Sequence, residues 1–145
     1  MKSPLFLRAA SLLTLIHAVL HTMGAVFGEP DPGPASVAVA AMKANRFQWM
    51  GNMRSYWDFH LGLAIGITIF LTLDAIVLWL LASLAKSEAA RLRPIIVAYA
   101  VAYLLFALNS YVYIFPGAVI TEIVIALCLA GAFVTARPAR STERA

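Results

Sequence analysis

His17 and His21 stand four residues apart, and His60, Asn109 and Glu122 interrupt three further apolar runs. Imidazole titrates near neutrality and a carboxyl group can hold or release a proton, so this set offers acid–base chemistry. The HxxxH spacing puts two imidazoles on one helix face. There they could share a metal ion, with His60 and Glu122 completing the donors. His21 and His60, from different helices, could alternatively ligate a haem axially. No HExxH pattern accompanies them, so no metal ligand is assigned and the cofactor stays unknown. Nucleophilic triads, phosphate loops and dinucleotide fingerprints are not recognisable in the sequence.

The elements that must hold these residues follow from composition. The chain has 145 residues, 62% of them hydrophobic and 12% charged, with a mean hydropathy of +0.84. Its apolar residues fall in four blocks, Leu5–Phe27, Tyr56–Ala85, Ile95–Tyr113 and Gly117–Ala136. Each reaches the ~20 residues that a bilayer-spanning helix needs. A dry bilayer makes each span satisfy its own backbone, which selects helices over isolated strands. The first block is long for a signal peptide and carries two histidines, so it reads as a span. Cys128 is the single cysteine, and it reads as a packing residue.

The predicted fold is all-α: a polytopic membrane protein built as an antiparallel, up-down four-helix transmembrane bundle. Helices are expected at about 4–28, 55–85, 94–113 and 117–136, all in one domain over 1–136. The short links AKSEAARLRP and YIFPG make neighbours antiparallel. The longer external segment opens with GEPDPGPAS, too rich in Pro and Gly for regular structure. A short interfacial helix is expected over about 36–53, with a loop as the alternative. The polar tail 137–145 is expected to be a disordered cytoplasmic tail.

Lysine and arginine set the orientation. Lys2, Arg8, Lys86, Arg91, Arg93, Arg137, Arg140 and Arg144 fall on the side of the termini, against Lys43, Arg46 and Arg54 on the other. This bias predicts a multi-pass membrane protein with both termini cytoplasmic. It also accounts for the pI of 9.6, so nucleic acid is not an expected partner. The expected partners are the lipid bilayer and a small lipophilic ligand, and a homo-oligomer is compatible with the sequence.

The stretch RSYWDFH, Arg54–His60, opens the second helix. Ser55 followed three residues later by Asp58 is a capping-box pattern at the positive end of the helix dipole. Tyr56 and Trp57 suit an interfacial aromatic belt. Arg54 can pair with Asp58 or with a lipid phosphate, and both are carried as candidate ligand-binding residues.

Depth links the remaining polar residues. At ~1.5 Å of rise per residue, His21, His60, Asn109 and Glu122 all fall in the outer third of the bilayer, one from each helix. Ionisable groups in hydrocarbon are costly unless paired and by default mark function. The expected site is therefore an outward-facing polar pocket, with Glu122, His21, Asn109 and His60 as catalytic candidates. His17, Arg54, Tyr113 and Asp58 are the ligand-binding candidates. Tyr99, Tyr103, Phe106, Ser110 and Tyr113 form a stripe on the third helix, read mainly as packing. Gly24/Gly28 and Gly62/Gly66 are GxxxG pairs that would let helices approach.

HTMG, FQWMGNMRSYWDFHLGLAIG and YVYIFPG together resemble an uncharacterised family of small bacterial four-helix integral membrane proteins with an RSYWDF-type motif at the start of the second helix. The resemblance covers most of the chain and implies the four-helix membrane fold and a bacterial inner (plasma) membrane location. It implies no activity. In that family an aromatic often stands at the position of His60, so His60 is a departure from its pattern.

Two functional classes follow. One is a membrane enzyme or binder doing acid–base work on a lipophilic ligand, of isomerase or hydratase type. The other is a structural or accessory subunit whose polar layer fixes helix packing. A haem- or metal-binding membrane protein is the further alternative.

Overall fold

The computed structural model describes residues 2–136; the expected tail 137–145 lies outside the described residues. Among the described residues the structure is helical apart from one hairpin. Helix α1 spans Ser3–His21 and continues as a π-helical segment, Thr22–Val26. Pro4 suits the first turn, where its missing N–H is not needed. Helix α2 spans Pro34–Ala44, strands β1 and β2 span Arg46–Trp49 and Asn52–Ser55, and α3, α4 and α5 span Tyr56–Glu88, Arg93–Tyr113 and Pro116–Thr135. Four of these stretches are long and apolar enough to cross a membrane: Ser3–Val26, Tyr56–Glu88, Arg93–Tyr113 and Pro116–Thr135.

The segment between α1 and α3 differs from the expected single helix over 36–53. Helix α2 stops at Ala44, and β1 pairs antiparallel with β2 in the register Arg46↔Ser55, Phe47↔Arg54, Gln48↔Met53 and Trp49↔Asn52. Met50 and Gly51 make the turn, both with positive φ, 48° and 83°. Two successive left-handed residues twist a two-residue turn to match the strands, and Gly51 has no Cβ to oppose it. Phe47 then packs on Tyr56 and Phe59 at ring-centroid distances of 5.0 and 6.1 Å, and Trp49 meets Phe59 edge-on at 5.8 Å. The hairpin delivers Ser55 to the start of α3.

The regular helix expected through residue 28 also ends early. Phe27 N donates to Thr22 O at 3.2 Å, the i→i+5 bond of a π-turn. Thr22 Oγ1 bonds back to Ala18 O at 2.7 Å, a side-chain insertion that competes with the regular ladder. A Cβ on Gly28 would collide with the Gly24 carbonyl, so only glycine fits that exit.

The chain forms two compact units, Met1–His17 with Thr72–Ala145, and Ala18–Leu71. In the first, Leu7, Leu78, Ile96, Ile125 and Leu129 are fully buried, with alanines at positions 10, 82, 85 and 132 between them. Small residues there let helix backbones approach. Helices α4 and α5 pack along each other. At Gly131 a Cβ would meet the Phe6 ring at 2.9 Å, so α1 and α5 lie close. Neither expected GxxxG pair makes such a contact: a Cβ at Gly24, Gly62 or Gly66 would meet nothing within 4 Å. The second unit buries Ala18, Ser55, Ala64 and Leu71. Leu, Ile and Phe side chains cover much of the outer surface of all four long helices, a pattern unlike that of a soluble monomer.

Candidate functional site

In the first unit, three helices each turn one polar residue inward at a common point. On α5 the inward stripe is Glu122, Ile125, Ala126, Leu129 and Ala132, spaced by three and four residues as one helix face requires. On α4 it is Ile96, Tyr103, Ala107 and Ser110. On α1 it includes Leu7, Ala10, Thr14 and His17. Glu122 is 1% exposed. Ser110 Oγ donates to Glu122 Oε1 at 2.9 Å. His17 Nε2 lies 4.0 Å from the same oxygen, beyond a hydrogen bond but close enough for an ion pair when the imidazole is protonated. The Phe106 ring stacks on His17 at 6.3 Å, with planes 15° apart. Glu122 Oε2 is buried and has no hydrogen-bond partner among the described residues.

Chemically this is a carboxyl–imidazole pair out of contact with solvent. An isolated carboxylate there would be expensive. One proton between the two groups removes that cost. On Glu122 it leaves a neutral acid beside a neutral imidazole, and on His17 it leaves an ion pair. Ser110 anchors Oε1, so Oε2 is the oxygen left to exchange a proton.

Further polar contacts lie along the same unit. Thr14 Oγ1 and Tyr103 OH share a hydrogen bond of 3.0 Å. Tyr99 OH donates to Asp74 Oδ1 at 3.4 Å. Ser11 Oγ donates to the Ala75 carbonyl at 2.6 Å.

The sequence-predicted residues are distributed as follows. Glu122 and His17 meet. Asn109, expected to face Glu122, is exposed. One residue is about 100° around a helix, so Ser110 takes the inward position and Asn109 the outward one. Tyr113 is 76% exposed. In the second unit, His21 Nε2 donates to the Ala64 carbonyl at 3.1 Å, and Thr22 Oγ1 bonds Thr68 Oγ1 at 2.9 Å. His60 is exposed, its ring 5.0 Å from that of Trp57. Four residues of α3 separate His60 from the buried Ala64, yet Leu61 and Ala64 carry the inward face there. Lys43 Nζ sits 4.5 Å over the Trp57 ring.

Asp58 forms a reciprocal cap. Ser55 N donates to Asp58 Oδ2 at 2.7 Å, and Asp58 N donates to Ser55 Oγ at 3.2 Å. The Ser55 hydroxyl adds a third bond, 3.0 Å to the same Oδ2. Arg54 reaches the Met53 carbonyl at 3.1 Å. Within neither unit do three His, Cys, Asp or Glu side chains converge at metal-ligand spacing, among the described residues.

Sequence reasoning passed over Ser110 and Thr14 as site residues. Ser110 was visible as a member of the Tyr99–Tyr103–Phe106 stripe, and Thr14 lies one turn before His17.

The fold and this cluster define a class: a helical protein with, among the described residues, four helices long and apolar enough to span a membrane, and a buried His–Glu–Ser cluster. No protein-family model, curated protein or solved structure matches the chain.

Proposed function

We propose that the chain is a multi-pass inner-membrane protein whose His17–Glu122–Ser110 cluster binds a small lipophilic ligand and exchanges a proton with it. The observation that carries this reading is the geometry of Glu122. One oxygen is held by Ser110, the other is buried with no partner among the described residues, and an imidazole stands beside the first. Donor and acceptor together suit an isomerase-type reaction. Glu122 gives a proton to one atom of the ligand, and His17 takes one from another, so the pair ends with the protons it began with. The stacked Phe106 supplies an apolar wall.

The membrane placement that goes with this reading is an up-down, antiparallel bundle with both termini cytoplasmic. It is supported by the eight basic residues on one side against three on the other and by the short links between α3, α4 and α5. Helix α2 and the hairpin then lie at the outer interface, their exposed Val37, Trp49, Met50 and Met53 in the headgroup layer.

A second reading is that the polar contacts are packing devices of a structural subunit. The Ser11–Ala75 bond favours it, since a hydroxyl on a carbonyl ties two helices and does nothing else. Solvent extracts of detergent-purified wild type and Glu122→Gln, compared by mass spectrometry, separate the two. The acid–base reading expects one lipophilic compound enriched over bulk lipid in the wild type and depleted in the variant. Identical bulk-lipid extracts from both folded proteins would leave the structural reading.

A further inference from the structure

Asp74 is a carboxyl group in the middle of α3 for which the ligand site has no use. Intramembrane acids are costly and by default functional. Its partner is Tyr99 on α4. Tyr103, one turn further along α4, is buried and shares its hydroxyl with Thr14 of α1. Thr14 is one turn from His17, which stands against Glu122. The steps between these contacts are four residues on α4, about 6 Å of rise, and three on α1, about 4.5 Å. Each is a distance that a side-chain rotation or one water can bridge.

We infer that the residues from Asp74 through Tyr99, Tyr103, Thr14 and His17 to Glu122 form a proton path through the membrane-spanning part of the protein. This is an activity distinct from ligand chemistry, although it shares the His17–Glu122 pair with it. Tyr99, which bonds Asp74 at one end, and Ser110, which bonds Glu122 at the other, are eleven residues apart on α4, about 16 Å. That is roughly half of the hydrocarbon thickness. Tyr99 is six residues from the start of α4 and Ser110 three from its end. Polar groups therefore approach both ends of the helix.

The chemistry of the links fits. In the Thr14–Tyr103 pair either hydroxyl can donate, so the bond can reverse direction, as a relay needs. Each hydroxyl accepts one proton on a lone pair and gives up the one it held. It then rotates back, so no hydroxyl keeps a charge. A proton taken up by the Asp74 carboxylate is matched by one released from the His17–Glu122 pair at the other end. The Ser11–Ala75 bond is no part of the path, because a carbonyl has no proton to pass on.

The test is proton flux into liposomes. The full chain is reconstituted with pyranine trapped inside, and a potassium gradient with valinomycin supplies the driving potential. The expected wild-type rate exceeds that of protein-free vesicles by about 10²-fold, the low end of what a positioned proton-transfer group contributes. Tyr103→Phe keeps the ring that fills the core, and Asp74→Asn keeps a local acceptor. Both should fall to the protein-free rate while circular dichroism stays unchanged. Ser83→Ala, on the exposed side of α3, should keep the wild-type rate. A wild-type rate equal to that of empty vesicles would overturn the path. So would either folded path variant conducting as the wild type does, or comparable potassium leakage without valinomycin. The solvent-extract comparison of Glu122→Gln is independent of all these results, so the ligand reading stands or falls separately.

Discussion

Ser110 Oγ donates a 2.9 Å hydrogen bond to Glu122 Oε1, joining α4 to α5 through a carboxyl group that is almost wholly buried. Twelve residues and a sharp turn at Ile114–Phe115 separate the two in sequence. Their side chains meet because α4 and α5 pack along each other.

Ser110→Ala removes the only hydrogen bond that the described residues make to this carboxyl group. Leaving a buried acceptor unmade costs about 1–3 kcal/mol. Ser110→Thr keeps the hydroxyl and should recover most of it. Unfolding in mixed micelles measures both. An alanine variant as stable as the wild type would show that Glu122 finds another donor.

Ser55 and Asp58 cap α3 through one reciprocal arrangement. Ser55→Ala should cost about 0.5–2 kcal/mol. Asp58→Ala should cost a similar amount, since it releases the Ser55 N–H. The double variant should lose little more than either single one, because the two residues share the same bonds. A double-mutant cycle checks the coupling, and strictly additive losses would contradict the shared cap.

Gly131→Val places a branched side chain where the Phe6 ring already stands, 2.9 Å from an added Cβ. The expected cost is about 1–3 kcal/mol from overpacking. Phe6→Ala should partly restore stability in the same background by vacating the space. Thermal denaturation of the single and double variants reads this directly, and a neutral Gly131→Val would mean that α1 and α5 separate easily.

The proposed topology, read from the bias of basic residues, puts both termini on the cytoplasmic side. Alkaline phosphatase, active only in the periplasm, should therefore be silent when fused after Ala145 and active when inserted between Glu29 and Ser36. The opposite pattern would invert the proposed topology and put the α2–hairpin segment inside the cell.

The sequence by itself determined the four long apolar helices, because a run of ~20 apolar residues has few other stable forms. It also determined the Ser55–Asp58 cap, which is a local pattern that needs only the helix it begins. Glu122 stood out as a lone carboxyl group in an apolar run. Only the tertiary structure decided how each helix is rotated. Lipid-facing and core-facing positions are both apolar, so little amphipathic contrast tells one side from the other. Asn109 and Ser110 differ by one residue and end on different sides of α4, and the packing of α4 on α5 chose the serine. Similarly, His17 came to Glu122 because it continues the buried Leu7–Ala10–Thr14 face of α1. The hairpin Arg46–Ser55 was hidden for another reason. Its few residues form strands through the Met50–Gly51 turn and the aromatic contacts of Phe47 and Trp49, and neither is expressed as a two-residue hydrophobic alternation.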